Sequence, residues 1–446
     1  MSPPALHRLA LCAALAASAC GTEAPDTPVI LITIDTQRVD RLSCFGYEKD
    51  TSPEIARFAA SCARFENHHV QAPLTLPSHS SIMTGLMPYN HGVPSNGGFE
   101  LSQDATTLAE RLSDVGYDTG AVVSAGVLHA QFGLDQGFDT YDWGLDGDTT
   151  LSHTDAEHAT TRALAWLGRE RDAPPFLWLH YFDPHGPLEA PARFDDPDPY
   201  DAEVRYTDEQ LGVLMRALQA EPWFDEALVV LTSDHGQHLG EHGYNGHTLS
   251  VYEETLHAPL LIRFPRSEHA GRTVSALTRS TDLLPTILRA VGLEPHAELD
   301  GVPLQDAVLG EGPPLELESY GETRFAGQRA LHKRSLIRGR WKFISKYNLD
   351  PDTDVIERLG GDLLKERLAK YSYTRDLMTL ERSTRELYDL QLDPEESVNL
   401  YASQPDIAAE MEAALAAHTV RWEVAVPTVR HSPDEDTERH LKQLGY

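Results

Sequence analysis

The chain has 446 residues, 41% hydrophobic and 24% charged, which is the balance of a packed globular protein rather than a disordered one. Its 69 Asp and Glu outnumber 37 Lys and Arg, giving a formal net charge of −32. No nucleic acid partner is expected, because a phosphate backbone needs a basic face, and the acidic excess reads as a solvated surface.

Residues 1–19 read as a secretory signal peptide: His7 and Arg8 precede an apolar, Ala-rich run, Leu9 to Ala19, that closes on small residues. The run is shorter than the roughly 20 residues a membrane span requires. Cys20 after Ala17-Ser18-Ala19 resembles a bacterial lipobox, with Ala17 where Leu is usual. Cys20 is then either a lipidated N-terminus or the start of a released chain. Both outcomes are exported: a periplasmic protein, or a lipoprotein anchored at the outer membrane. With Cys12 in the signal, only Cys44 and Cys62 stay in the mature fold, where pairing and free thiols are both open.

After a linker over 20–28, near-continuous apolar runs mark buried parallel strands at Pro28–Ile34, Thr119–Val123, Pro175–His180 and Ala227–Thr232. Amphipathic stretches between them, Ala105 to Val115 and Thr207 to Glu221, read as helices. The alternation implies an α/β domain over 29–325, a large sheet with helices on both faces. Beyond about Gly327 the pattern changes to short runs, Arg334–Arg338 and Trp341–Ile344, and a helix near Asp406 to His418. That implies a smaller antiparallel sheet with a covering helix as a C-terminal subdomain over 326–446.

The chemistry-bearing residues stand where the strands stop. Asp35 ends the first strand, Asp183 and His185 follow the third, and Asp234-His235 follow the last. Ligands in open parallel sheets bind outside the carboxyl ends of strands, so these groups should converge. Each Asp taken alone could simply cap a helix or turn. Taken together, carboxylates plus an imidazole suit a divalent cation.

Several long motifs then resemble the sulfatase family of the alkaline phosphatase superfamily, in the right order from about Val29 to the C-terminus. Ile34-Asp35-Thr36-Gln37-Arg38 resembles its opening motif, and Thr75-Leu76-Pro77-Ser78-His79 its nucleophile signature. Thr232-Ser233-Asp234-His235-Gly236-Gln237 with Gly240-Glu241-His242-Gly243 resembles its second metal motif. Tyr252-Glu253-Glu254, Asp282-Leu283-Leu284-Pro285 and Leu387-Tyr388-Asp389 resemble later landmarks. The resemblance implies an alkaline-phosphatase-like mixed sheet. It also implies one divalent metal held by Asp35, Thr75, Asp234 and His235, calcium by family, with zinc or manganese as alternatives. His185 falls where the family places a histidine near the ester, and His247 near a substrate-contacting lysine. His79 replaces the arginine that usually supports the nucleophile, and either contacts the anion or supports its neighbours. His91 and Asn96, in the loop beyond, read as capping and turn residues.

Three departures separate the chain from standard sulfatases. Thr75 stands where Cys or Ser matures to formylglycine, and its β-methyl prevents that aldehyde, so no formylglycine is expected. Thr36 replaces the second acid of the opening pair, and Gln237 the acid after Asp-His-Gly. A metal-activated threonine hydroxyl can still attack an ester in line. The expected function is hydrolysis of sulfate or phosphate-type esters of a small molecule or glycan. A phosphodiesterase or phosphonate monoester hydrolase, a phospho-alcohol transferase, or a degenerate anion-binding homologue are the alternatives. Asp183, His185, His242, His247 and His257 could build a second metal site, but none has family spacing for one, so a single metal is expected.

Overall fold

The computed structural model describes residues 26–96, 98–144, 153–310, 315–324, 332–347, 384–424 and 429–430. The signal segment 1–19, Cys20 and the final residues of the family match lie outside the described residues.

Six aliphatic or β-branched residues, Val29–Ile34, form the central strand, and all six are buried. The strand sits fifth in an eight-stranded sheet. In order, the strands are Thr273–Val274, Ala63–Phe65, Leu260–Arg263, Leu228–Ser233, Val29–Ile34, Pro175–Tyr181, Asp118–Val122 and Thr140–Asp142. The strands from Leu228–Ser233 to the Thr140–Asp142 edge are parallel, while Leu260–Arg263 runs antiparallel to both of its neighbours. The sheet is therefore mixed, as the resemblance implies.

Alternate residues of the central strand feed two cores. Val29 and Leu31 pack with Leu76, Ile82 and Leu284 from helices on one face. Ile30, Ile32 and Ile34 pack with Trp166, Leu211 and Leu214 on the other. Burying each such side chain contributes about 1.5–3 kcal/mol, which is why an uninterrupted apolar run becomes the middle of a covered sheet.

Helix boundaries differ from the sequence expectation where caps decide them. The helix expected from Thr207 begins eight residues earlier, at Pro199, and runs to Ala220. Asp198 accepts the Tyr200 N–H at 3.1 Å, and Pro199 loses nothing in the first turn, where its missing N–H would be free anyway. The stretch Ala105–Val115 yields only Leu108–Ser113, started by a capping box between Thr107 and Glu110.

The smaller sheet is antiparallel and four-stranded: Glu318–Arg324, His332–Arg338, Trp341–Tyr347 and Arg385–Asp389. Its first strand precedes the boundary expected at 326, because Glu318–Arg324 pairs with the next strand and reads too polar for a core strand. Ala408, Met411 and Leu415 of the helix Pro405–Val424 cover it. Buried Lys342 ties this sheet to the larger domain, with Nζ 2.7 Å from Glu253 and 3.0 Å from Glu396. Cys44 and Cys62 are free thiols.

Candidate active site

Strand register assembles the site. Thr33 lies beside His180 on one side and Thr232 on the other, and Ile34 beside Tyr181 and Ser233. The three strands therefore end level, and Asp35 and Asp234 leave the sheet side by side. Both carboxylates are buried, and Asp35 Oδ1 and Asp234 Oδ2 have no hydrogen-bond partner among the described residues. The turn after Asp35 is strained: Thr36, a β-branched residue, has φ 55°. A conformation of that kind costs on the order of 1–3 kcal/mol. It points the Thr36 N–H at Asp234 Oδ1, 3.2 Å away, and joins the two acidic turns.

Thr75 opens the helix Thr75–Thr84, all ten residues of which are buried. At that N-terminus the helix dipole favours an anion, but Pro77 carries no N–H and the Ser78 N–H goes to the Leu74 carbonyl at 3.0 Å. Asn96 Oδ1 accepts the Leu76 N–H at 2.8 Å, so its capping role is met, while its Nδ2 stays unpartnered. Ser78 Oγ donates to the Asp234 carbonyl at 2.5 Å and fastens the helix to the metal-motif strand. Thr75 Oγ1 then lies 3.5 Å from His235 Nε2. His235 Nε2 is itself 3.5 Å from Asp234 Oδ2 and 3.9 Å from Asp35 Oδ1.

Hydrogen-bond partners assign the protons on the surrounding imidazoles. A carbonyl can only accept, so His235 Nδ1, 3.0 Å from the Gly236 oxygen, carries the hydrogen and leaves Nε2 a free lone pair. The same reasoning frees Nε2 of His185, whose Nδ1 faces the Gly186 carbonyl at 2.6 Å. It also frees Nε2 of His247, whose Nδ1 faces the Pro73 carbonyl at 2.8 Å. His180 is the reverse case: its Nδ1 accepts the Ser124 N–H at 3.3 Å, so Nε2 carries the hydrogen, 3.7 Å from Asp35 Oδ2. His79 donates from Nδ1 to the Thr75 carbonyl at 2.8 Å and accepts the Thr33 hydroxyl at Nε2, 3.0 Å away. Trp178 Nε1 donates to the same hydroxyl at 3.0 Å.

Burial sets the electrostatics. It pushes Asp35 up to about 6, against the pull of His185, and Asp234 well above the usual carboxylate range, helped by the charge of Asp35. Burial also holds His180 down to about 3 and His185 and His247 down to about 4. His79 and His235 are held well below their ordinary value by the same cause. Two buried carboxylates with unpartnered oxygens, beside a neutral imidazole presenting a lone pair, form a fitting donor set for a divalent cation. Asp35, Asp234 and His235 offer ligand atoms within 4.8 Å of one another. His79, His180 and Asp234 are equally close, but neither imidazole of that group has a free lone pair.

The structure thus brings together Asp35, Thr75, His79, Asp234, His235, His185 and His247. It does not bring in Asp183, which accepts the Ala156 N–H at 2.7 Å, the first of the helix Ala156–Leu167 that Asp155 caps. His242 turns to Glu254 at 3.4 Å, and His257 to the Glu66 carbonyl at 2.9 Å. His79 is fully buried with both nitrogens used, so it supports the start of the helix Thr75–Thr84 rather than touching an anion. Sequence reasoning missed His180: within an apolar strand run it reads as core, and only the pairing with Thr33 sets it beside Asp35.

Residues 27–293 match the family model described as Sulfatase, and residues 240–357 the one described as N-sulphoglucosamine sulphohydrolase, C-terminal. Human arylsulfatase A is 26% identical over 365 residues, 67% of this chain and 70% of that protein. Delta 4,5-hexuronate-2-O-sulfatase of Bacteroides thetaiotaomicron is 24% identical over 458 residues, 88% of this chain and 87% of the relative. The crystal structure of a phosphonate monoester hydrolase of Agrobacterium radiobacter shares the fold at TM-score 0.68 and 19% identity, covering 91% of this chain and 100% of that one.

Proposed function

The chain belongs to the sulfatase family, hydrolases of sulfate or phosphate esters, and from that premise we propose an exported, metal-dependent esterase whose nucleophile is the Thr75 hydroxyl. One observation carries the reading: Thr75 Oγ1 stands 3.5 Å from His235 Nε2, at a buried helix N-terminus beside two unpartnered carboxylate oxygens. Asp35, Asp234, His235 and Thr75 would hold a divalent cation, which lowers the hydroxyl's pKa and offsets charge developing on the ester oxygens.

The residues do the rest. The positive end of the helix dipole orients the anionic ester toward Thr75 Oγ1, whose proton would pass through water to the lone pair of His185 or His247 Nε2 as the oxygen attacks in line and the bond to the leaving alcohol breaks. His79 keeps the Thr75 carbonyl, and with it the side chain, in place. The imidazole that took the proton, His185 or His247, would then return it to the leaving alkoxide, so the alcohol departs neutral. Water then cleaves the threonine ester. A sulfo-threonine lacks the collapse route that a formylglycine diol provides, so phosphate, phosphodiester or phosphonate esters are the favoured chemistry. The substrate is a small molecule or a glycan; the hexuronate sulfatase among the relatives is named for a sugar ester.

The test is a panel of nitrophenyl phosphate, phosphodiester, phosphonate and sulfate with added divalent metals. Thr75→Ala should lose several orders of magnitude in turnover and keep its fold, while Thr75→Ser keeps part of the activity. Unchanged turnover in Thr75→Ala would sink the nucleophile assignment. Export rests on residues 1–19, and anchoring on Cys20. Cys20→Ala should move the protein from the membrane to the soluble fraction, and identical fractionation of both forms would remove the anchor.

A further inference from the structure

We propose that Tyr200 is a positioning residue for the metal carboxylates: its phenol holds the strained turn after Asp35 in the shape that keeps Asp35 and Asp234 aimed together. Thr36 is the weak point of that turn. It is fully buried and β-branched, at a positive φ that L side chains avoid. Its own hydroxyl has no hydrogen-bond partner among the described residues, so its side chain does not hold the turn. The hold comes from a helix 164 residues further on: Tyr200 Oη donates to the Thr36 carbonyl at 2.7 Å and accepts the Arg38 N–H at 2.9 Å. A phenol has one hydrogen to give and lone pairs to accept with. Tyr200 uses both, one on each side of the turn, so a single oxygen closes the backbone from Thr36 to Arg38.

The closed turn sets the carboxylates. The Thr36 N–H meets Asp234 Oδ1 at 3.2 Å, and the His235 N–H meets the same oxygen at 2.8 Å. With Oδ1 held twice, Oδ2 is left without a partner beside His235 Nε2. Arg38 extends the hold, since its guanidinium reaches the Gln237 carbonyl at 3.2 Å and Glu241 Oε1 at 2.7 Å. The turn after Asp35 and the loop after Asp234-His235 are thus both tied to atoms that Tyr200 fixes. The phenol is itself held. Asp198 accepts the Tyr200 N–H in the first turn of Pro199–Ala220, and the ring is buried in the same core as Ile34 and Leu211. Burial also pushes the phenol above its ordinary pKa, so it stays a protonated donor. Groups that orient metal ligands through hydrogen bonds are worth about 10–100-fold in metal affinity. Tyr200 exerts that effect through the backbone of the turn.

The proposal rests on the metal site formed by Asp35, Asp234 and His235. The test titrates the chelator-stripped full chain with Ca²⁺, Mn²⁺ and Zn²⁺ by calorimetry and follows the ion whose binding Asp234→Asn abolishes. Tyr200→Phe keeps the ring in its packing and removes both hydrogen bonds of the hydroxyl, so affinity for that ion should fall about 10–100-fold. Tyr206→Phe is the control for a purely structural role. On the same helix its hydroxyl accepts the Glu157 N–H at 3.1 Å, so its loss should lower the urea midpoint and leave metal affinity unchanged. Thr36→Gly relieves the strain, because glycine takes a positive φ at no steric cost. Tyr200→Phe in that background should therefore weaken binding far less than it does with Thr36 in place. Equal affinity in Tyr200→Phe and the native sequence overturns the proposal, as does an equal drop in Tyr206→Phe or an undiminished drop beside Thr36→Gly. A native chain that binds none of the three ions overturns the metal site, and this proposal with it, so the two failures are told apart.

Discussion

Replacing His79 with leucine separates support of the nucleophile from contact with the anion. The imidazole is fully buried and makes two side-chain hydrogen bonds, one to the Thr75 carbonyl at 2.8 Å and one with the Thr33 hydroxyl at 3.0 Å. Leucine keeps roughly the same volume and removes both. The Thr33 oxygen still receives the Trp178 N–H, but its own hydrogen loses its acceptor in a dry interior, at about 1–3 kcal/mol. Loss of the added bond to the Thr75 carbonyl costs about 1 kcal/mol more. His79→Leu should therefore lose about 2–4 kcal/mol of stability, read as a lower urea midpoint at unchanged slope. Its kinetic signature follows from geometry: misplacing the Thr75 hydroxyl by about an ångström lowers kcat on the order of 100-fold and leaves KM nearly unchanged. A rise in KM at constant kcat would mean that His79 holds the anion, and the positioning argument would be wrong. A stability loss below about 1 kcal/mol would refute the hydrogen-bond accounting as well.

Two further predictions follow from the same proton assignments. His180, with its hydrogen on Nε2 toward Asp35 Oδ2, should steady that carboxylate. His180→Ala is expected to weaken metal binding by roughly 10–100-fold in calorimetric titration, and His180→Gln, which keeps an N–H donor there, to recover much of it. Equal affinities in the two variants would deny the role. His91 is bound to Ser81 Oγ and the Val93 N–H, and burial holds it down to about 3 from its ordinary 6.5. It stays neutral in the folded state while the unfolded chain takes up the proton, so its contribution is complete above 6.5 and falls as pH drops toward 3. The loss should reach about 2 kcal/mol at pH 5. Urea midpoints at pH 7 and pH 5 measure it. His91→Gln should flatten that difference, and an equal difference in both proteins would contradict the assignment.

Much of this molecule was legible in the linear order of residues. An apolar run such as Val29–Ile34 can only be satisfied by cover on both faces, so it declares a central strand whatever surrounds it. Asp35, Asp234 and His235 were legible for the same reason, because they stand immediately after such runs, where a parallel sheet must present them at one edge. Thr75 was legible as a motif beside a helix start. The C-terminal boundary and the start of the helix Pro199–Ala220 were less so, since caps and cross-strand pairing, not periodicity, decide where they fall.

Other features belong to the tertiary structure alone. Whether an imidazole presents a lone pair or a hydrogen depends on which distant group meets its other nitrogen. His180 meets the Ser124 N–H and His247 the Pro73 carbonyl, partners 56 and 174 residues away. No local pattern encodes that choice. His79 likewise reads as a stand-in for an anion-binding arginine until the sheet delivers Thr33 to its second nitrogen. His185 and His247 are 62 residues apart in sequence, yet their rings meet because the two chain segments converge over the sheet edge. Strand runs and motifs are set by solvation along the chain. Proton placement and ligand pairing are set by long-range hydrogen bonds that exist only once the chain has closed.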